Sequence, residues 1–352
     1  PATRSNVLMA KGFVQRLAAS GGTEMLPALR EAVVDWVQRT EGLEYAAHNV
    51  LVGPGTKELM FLVQLVYYGD LVIPTPSWVS YAPQAHIIGR HVYWLPTHRD
   101  NRWLLTPDEL DKLCHQDPTK PRIVILNYPN NPTGCSYTDE ELKALAEVAR
   151  KYKIILLSDE IYGELNFEGT HTSIARHYPE GTIISSGLSK WCGAGGWRLG
   201  TFSFPPQLRW LCDAMSIVAS ETFTATSSPI QYAAITAFDG GDDIDEYLSN
   251  SRRILEAAIV FLDQVAQDAD KLLGGTSESC LLIDESSFAK KGKHSVGVGR
   301  QWCGRLGKVD NCQVGVFAAL SRGAAATLID ERLYLPGAWV EDGARCEAAG
   351  IP

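Results

Sequence analysis

The sequence predicts an α/β fold: a mainly parallel sheet with helices on both faces, followed by a short α/β segment of another type. Apolar strand-like runs alternate with segments of helical periodicity over most of the chain. The runs are almost wholly apolar, as expected for parallel strands covered on both faces. The pattern changes near residue 259, and residues 286–308 hold six Lys or Arg and no acidic residue. We therefore divide the chain into residues 1–258 and 259–352.

Composition limits the kind of protein. With 352 residues and 45% hydrophobic side chains, the chain can bury a large core and form two domains. A net charge of -9 argues against general nucleic-acid binding, though not against a local basic patch. The eight cysteines include no C-x-x-C pair, so no metal site is predicted and a reduced, cytoplasmic setting is expected. No run reaches membrane-spanning length.

The first third of the chain predicts two helices and three strands. Apolar residues recur at helical spacing within residues 24–40. A short strand leads into the Gly-Pro-Gly turn at 53–55, and a helical run follows from Glu58 to Tyr68. The three predicted strands cover residues 49–52, 71–74 and 91–95.

The following elements continue the alternation of strands and helices. Residues 122–127 form a predicted strand that ends in a turn rich in Asn and Pro. Thr138 offers an N-cap and acidic residues follow it, which predicts a helix over 139–152. Further strands are predicted at 154–158, 182–185 and 199–204, then a helix at 244–270 and a strand at 280–283.

Polar side chains follow several of these strands, at the point where each strand ends. Asn131 comes after the strand at 122–127 and Asp159 after the strand at 154–158. Lys190 and then Arg198 come after the strand at 182–185. Ligands of parallel α/β sheets bind at the carboxyl ends of the strands. An amide, a carboxylate, an amine and a guanidinium in this order are suited to hold pyridoxal 5′-phosphate (PLP).

Each of these groups has a predicted role toward PLP. The Lys190 amine can form a Schiff base with the cofactor aldehyde and, once displaced by a substrate amine, move a proton. Asp159 can keep the pyridine nitrogen protonated. Asn131 and Tyr162 can hydrogen-bond the phenolic oxygen, and Trp78 can stack on the ring. The candidate catalytic residues are therefore Lys190, Asp159 and Tyr162.

The phosphate is predicted to bind where a helix begins after the first strand. Gly55, Thr56 and Lys57 offer backbone N–H groups and the positive end of the helix dipole there. Ser189 and Arg198 can complete the site, since Arg binds phosphate with two parallel hydrogen bonds. Each of these predicted cofactor-binding residues, taken singly, more often has an ordinary structural role, as part of a turn, a helix cap, a solvated side chain or a core aromatic. Their occurrence together and in this order favours a cofactor site.

Residues 1–258 resemble the class I/II aminotransferases, the aspartate-aminotransferase-like PLP enzymes of fold type I. The resemblance rests on Asn-Pro-Thr-Gly at 131–134, Asp-Glu-Ile-Tyr at 159–162, and Ser-Lys at 189–190 followed by Gly-Trp-Arg-Leu-Gly at 196–200. It implies the large-domain fold of those enzymes and the site roles given above. It also implies amino-group transfer between an amino acid and a 2-oxo acid, by a cytoplasmic homodimer with a biosynthetic role.

The sequence departs from that family at both ends of the matching region. The family's N-terminal substrate loop would precede Pro1, and its tyrosine for the partner's phosphate has no match near Ala19 or Ser20. The family's small C-terminal domain, whose arginine binds the substrate carboxylate, has no match either. We therefore expect an N-terminally truncated large domain with impaired activity, and no particular amino donor is indicated.

Residues 259–352 resemble part of a DDE transposase with an RNase-H-like core. The similar segments include 280–288, 300–304, 310–317 and 328–336. By this resemblance, Asp284 matches the first metal-binding carboxylate. Two-metal phosphoryl transfer needs further carboxylates, which the family carries beyond the position of Pro352, so we expect a catalytically inactive tail. We interpret the chain as a chimera of aminotransferase and transposase sequence.

Alternative functions stay open at this point. The basic stretch, which includes Lys290, Lys291 and Lys293, could bind DNA phosphates as a DDE transposase fragment, although a solvated basic loop explains it equally well. The chain could also be a non-functional fusion whose large domain exposes apolar surface. Among PLP enzymes, β-elimination and decarboxylation use the same lysine and aspartate.

Overall fold

The computed structural model describes residues 26–167, 169–273, 279–289, 299–303, 306–322 and 325–333. The chain divides into two compact units, Pro1–Arg253 and Ile254–Pro352. Within the described ranges, each unit has its own sheet, of seven strands in the first and four in the second. Among the residues named so far, Pro1, Ala19, Ser20, Lys290, Lys291, Lys293 and Pro352 lie outside the described residues.

The first unit alternates strands and helices, as predicted. Its strands are β1 (Val50–Gly53), β2 (Asp70–Thr75), β3 (Val92–Pro96), β4 (Arg122–Asn127), β5 (Ile155–Asp159), β6 (Thr182–Gly187) and β7 (Gly200–Ser203). Its helices are α1 (Pro27–Glu41), α2 (Thr56–Val66), α3 (Tyr81–Ile87), α4 (Pro107–His115), α5 (Asp139–Lys151), α6 (Arg209–Thr222) and α7 (Ser228–Asp239). A further helix, α8 (Asp242–Leu273), extends past the unit boundary in sequence.

The seven strands lie in the order β1-β7-β6-β5-β4-β2-β3. The neighbouring strands among β2, β3, β4, β5 and β6 pair in parallel, whereas β7 runs antiparallel to both β6 and β1. The mainly parallel sheet predicted from the sequence is confirmed. The carboxyl ends of the parallel strands therefore lie along one edge of the sheet.

Helices cover both faces of the sheet because successive strand residues face opposite sides. On one face, Ile123, Ile125 and Leu157 pack in one cluster with residues of α2, α3 and α6. On the other face, Val124 and Leu156 pack with residues of α4 and α5. This double burial explains why the strands are apolar throughout.

A third cluster fixes the chain next to Lys190. The Trp191 ring, 1% exposed, stacks on Trp36 of α1 with ring centroids 5.1 Å apart. Trp191 also contacts Phe238 of α7, whose ring centroid lies 5.9 Å away in an edge arrangement. Burial of three large aromatic rings contributes several kcal/mol in total, of the order of 1.5–3 kcal/mol for each. The backbone that carries Lys190 is thus anchored in the core.

The second unit contains antiparallel strands. They are β8 (Ser279–Ala289), β9 (Gly299–Cys303), β10 (Lys308–Arg322) and β11 (Ala325–Leu333). The central strand β10 pairs with β8, β9 and β11. The predicted strand at 280–283 lies within β8, which extends beyond it and includes Asp284. Within the described ranges, no helix is both long enough and apolar enough to cross a membrane.

Candidate active site

The site lies where several strands end level with one another. Asn127 at the end of β4 is in register with Asp159 at the end of β5, and Asp159 with Ser185 of β6. At the same edge, Gly53 of β1 lies beside Gly200 at the start of the antiparallel β7. A cavity of about 470 Å³ opens at this edge. Its position is the one at which ligands of α/β sheets bind.

This cavity brings together nine of the ten predicted site residues, namely Thr56, Lys57, Trp78, Asn131, Asp159, Tyr162, Ser189, Lys190 and Arg198. The tenth, Gly55, precedes α2 and lies against the Arg198 side chain. A Cβ atom on Gly55 would fall 2.1 Å from Nη2 of Arg198. Because its φ angle is also 96°, a side chain is excluded there by both space and backbone conformation.

Asp159 is a buried residue that lines the cavity. It is 3% exposed, and its Oδ2 accepts a 2.5 Å hydrogen bond from Tyr81 Oη. Ser185 Oγ donates to the other carboxylate oxygen over 3.4 Å. Burial raises the pKa of Asp159 to about 6, although these hydrogen bonds offset part of the rise. The carboxylate is therefore mostly ionised at neutral pH and oriented for a cationic partner.

Asn131 and Tyr162 meet across the turns that follow β4 and β5. Asn131 Nδ2 lies 3.3 Å from Tyr162 Oη. Asn127 supports this contact, since its Oδ1 accepts from the Asn131 backbone N–H at 2.7 Å. Asn127 Nδ2 in turn donates to the Asp159 carbonyl at 2.9 Å. The two turns are thus joined at the wall of the cavity, which Asn127, Asn131 and Tyr162 all line.

The remaining polar groups make the cavity cationic. Lys190 Nζ lies 5.3 Å from the centroid of the Tyr162 ring, and Lys57 Nζ lies 5.5 Å from that of Trp78. Arg198 Nη1 donates to the Gly195 carbonyl at 2.7 Å, which holds the guanidinium beside the start of α2. Among the residues that the structure describes, three cationic side chains and one carboxylate line the cavity. This balance, together with the helix N-terminus, favours an anion such as a phosphate.

Four of the described residues that line the cavity had no predicted role, and these are Tyr81, Asn127, Ile161 and Gly195. Asn127 ends a predicted strand, so its position alone could have suggested a role. Ile161 lies within the motif at 159–162, and Gly195 directly precedes the motif at 196–200. Tyr81 carried no such signal, because its contact with Asp159 joins positions 78 residues apart.

Comparison with known proteins gives matches to two families, which cover different parts of the chain and overlap at residues 243–276. Residues 11–276 match the family described as aminotransferase class I and II, and residues 243–352 match the DDE superfamily endonucleases. An aspartate aminotransferase of Bacillus sp. (strain YM-2) is 36% identical over 292 residues, which are 80% of this chain and 71% of that protein. One of Geobacillus stearothermophilus is 38% identical over 63% of this chain. The chain spans only 56% of the length of that relative.

Solved structures agree with the sequence matches. A tetra mutant of the Thermus thermophilus aspartate aminotransferase superposes with a TM-score of 0.65 and 27% identity, over 77% of this chain and 76% of that one. An aromatic aminotransferase from Pyrococcus horikoshii OT3 gives a TM-score of 0.64 and 27% identity, over 73% and 70% of the two chains. The family match covers three quarters of the chain. The chain therefore belongs to the aminotransferase class I and II family.

Proposed function

We propose that this chain is a PLP-dependent aminotransferase, which transfers an amino group between an amino acid and a 2-oxo acid. The observation that carries the proposal is the convergence of Lys190, Asp159, Asn131 and Tyr162 on one cavity, which Lys57 and Arg198 also line. Each group matches one part of the cofactor. A chance surface cleft would not combine a buried carboxylate with three cationic side chains and a helix N-terminus.

The residues present fit PLP. Gly55 leaves space that the Arg198 guanidinium fills, so the guanidinium lies against the N-terminus of α2. Thr56, Lys57, Ser189 and Arg198 would hold the phosphate. Trp78 would cover the ring face, and Asp159 would bind the ring nitrogen.

When bound, PLP supplies a ring that withdraws electrons from the substrate α-carbon. Lys190 would bind the cofactor aldehyde covalently and, after release by the substrate amine, carry a proton to or from that carbon. Ionised Asp159 would keep the ring nitrogen protonated. Asn131 and Tyr162 would hydrogen-bond the phenolic oxygen and so favour its anionic form.

The relatives indicate which substrates to test first. Several are named aspartate aminotransferase, and one from Streptococcus mutans is named asparagine–oxo-acid transaminase. We therefore infer that aspartate is the first amino donor to test. From the family resemblance alone, we propose that the chain acts as a cytoplasmic homodimer. Turnover should be slow, because residues 243–352 match another family in the part of the chain where the carboxylate-binding domain would be expected.

The decisive experiment is to add PLP to the purified chain, reduce with borohydride, and map the modified peptide. We expect a visible absorbance band and a covalent adduct on Lys190. Lys190→Ala should abolish the adduct, whereas Lys143→Ala, at an exposed position of α5, should leave it unchanged. An adduct that survives in Lys190→Ala would contradict the proposed role of that lysine.

A second candidate function rests on the match of residues 243–352 to the DDE endonucleases. Under this proposal, the basic stretch binds DNA phosphates without cleaving the strand. Replacing Lys290, Lys291 and Lys293 by Ala should then weaken DNA binding and reduce its dependence on salt concentration. Absence of binding by the unaltered chain at low salt would eliminate this candidate.

A further inference from the structure

Glu160, the residue after Asp159, belongs to a second buried polar cluster. Asp159, Ile161 and Tyr162 all line the large cavity, whereas the Glu160 side chain lines a separate cavity of about 30 Å³. Glu41 and His171 line the same small cavity. The strand end that carries Asp159 therefore has a charged cluster on its other side.

The Glu160 carboxylate is surrounded by hydrogen-bond donors. Its Oε1 accepts from Ser158 Oγ at 2.7 Å, Ser173 Oγ at 2.6 Å and Tyr128 Oη at 3.3 Å. Its Oε2 lies 3.0 Å from Nε2 of His171, whose side chain is only 10% exposed. Burial alone would raise the pKa of Glu160, but the His171 contact and the hydroxyl donors hold it below its usual value. The group is therefore a buried carboxylate with a histidine counter-ion.

A bound metal ion explains this cluster less well than a hydrogen-bonded network does. The ligand atoms of Glu41, Glu160 and His171 lie within 4.8 Å of one another, close enough to share an ion. However, Glu41 Oε2 already accepts from the Ser173 N–H at 2.8 Å and from Arg176 Nε at 2.9 Å. An ion would have to displace protein donors from both carboxylates, at a cost of about 1–3 kcal/mol for each donor left without a partner.

The network connects the two turns that carry the cavity residues. Tyr128 lies in the turn after β4, and its Oη both donates to Glu160 and accepts from the Ile174 N–H at 2.7 Å. On the cavity side, the strand ends that lead into these turns are joined by the Asn127 hydrogen bond to the Asp159 carbonyl. The turns are thus tied together at two places.

We propose that Glu160, with His171 as its counter-ion, is a positioning residue that fixes the separation of the turns on which Asn131 and Tyr162 meet. This inference rests on the proposed PLP site, toward which Asn131 and Tyr162 would act together. A shift of either turn would misplace both hydrogen bonds to the phenolic oxygen. Glu160 itself would touch neither cofactor nor substrate.

The test is Glu160→Gln in the full chain, with two measurements: the dissociation constant for PLP, and the pH at which the visible band of the bound cofactor titrates. We expect the constant to rise about tenfold, which corresponds to about 1.4 kcal/mol. The titration midpoint should move upward by about half a pH unit. Asn131 and Tyr162, once displaced, would form weaker hydrogen bonds to the phenolic oxygen and would therefore stabilise its anionic form less. A residue that only supported folding would not move that midpoint. Glu180→Gln, at an exposed ion pair with Arg150, is the matched control and should change neither quantity.

The outcomes separate this proposal from the one on which it rests. If the unaltered chain forms no adduct on Lys190, the PLP proposal itself fails. If it forms the adduct and Glu160→Gln keeps both the constant and the midpoint, the positioning role is overturned. Should Glu160→Gln not fold, Tyr128→Phe decides, because it removes only the phenolic hydroxyl. That variant should change both quantities in the same directions, and unchanged values would overturn the proposal.

Discussion

Tyr81 Oη lies 2.5 Å from Oδ2 of Asp159 and ties helix α3 to the end of β5. Burial, reinforced by the Asp159 charge, raises the pKa of Tyr81 well above its usual value. The hydroxyl therefore keeps its proton and acts as the donor. In the same contact, the hydrogen bond lowers the pKa of Asp159 against the effect of burial. Tyr81 thus both orients the carboxylate and favours its ionised form.

Tyr81→Phe should weaken PLP binding by about tenfold at pH 7, because a hydrogen bond to a charged group contributes about 1.5–3 kcal/mol. Without the donor, the pKa of Asp159 should rise further above about 6. The pH below which binding is lost should therefore move upward. A PLP titration from pH 5 to 9 measures both effects. Tyr93→Phe, which removes a hydroxyl that contacts Lys120 instead, is the control. Equal binding curves for all three chains would exclude this role of Tyr81.

Asp159 should make the stability of the cofactor-free chain depend on pH. Its folded-state pKa of about 6 lies above the value of about 3.9 expected in the unfolded chain. The folded chain therefore binds the Asp159 proton more tightly than the unfolded chain does. The contribution of this proton to the free energy of unfolding is full below about pH 4 and is lost as the pH rises through 6. Asp159→Asn should accordingly be more stable than the unaltered chain at pH 8, by on the order of 3 kcal/mol, and equal to it near pH 4.

Urea unfolding without cofactor at several pH values measures this difference. Asp213→Asn, at an exposed ion pair with Arg209, should show no such pH trend. The same Asp159→Asn chain should bind PLP more weakly, since the amide cannot neutralise a protonated ring nitrogen. A constant stability difference from pH 4 to 8 would show that Asp159 does not titrate with a raised pKa.

Local signals in the sequence were enough to predict many of the elements. The strand β4 has the predicted bounds because all six of its residues are buried and a turn rich in Asn and Pro follows it. The start of α5 was predicted from Thr138, which forms a capping box with Glu141. Thr106 and Glu109 form the same capping box at α4, so the start of that helix could also have been predicted from the sequence, although it was not.

Non-local pairings could not be predicted in this way. Val50 of β1 pairs with Ser203 of β7 across 153 residues, and both strands are buried throughout, so periodicity gives neither their partner nor their direction. For the same reason, the motifs identified Asp159 and Asn131 but not Tyr81 or the cluster around Glu160. Those residues become recognisable only when the fold brings α1, α3, β4 and β5 together.

Arg198 should distinguish cofactors by their phosphate. Its backbone has a φ angle of 56°, in the left-handed region that Asn tolerates, so Arg198→Asn removes the guanidinium with little backbone strain. PLP binding should weaken by about ten- to a hundredfold, whereas binding of pyridoxal, which lacks the phosphate, should change less than about twofold. Fluorescence titration of both compounds gives the ratio. Arg209→Asn is the control, and an equal loss for both compounds would argue against phosphate binding by Arg198.

Gly200 should be required for the contact between β7 and the start of α2. A Cβ atom on Gly200 would fall 2.2 Å from the Thr56 backbone nitrogen, which cannot move without displacing the helix N-terminus. Gly200→Ala should therefore cost about 1–3 kcal/mol of unfolding free energy and also weaken PLP binding. Gly196→Ala offers a close control, because a Cβ there has no atom within 4 Å. Urea unfolding and PLP titration of both variants test the pair. If Gly200→Ala lost stability but bound PLP normally, the N-terminus of α2 could not be part of the phosphate site.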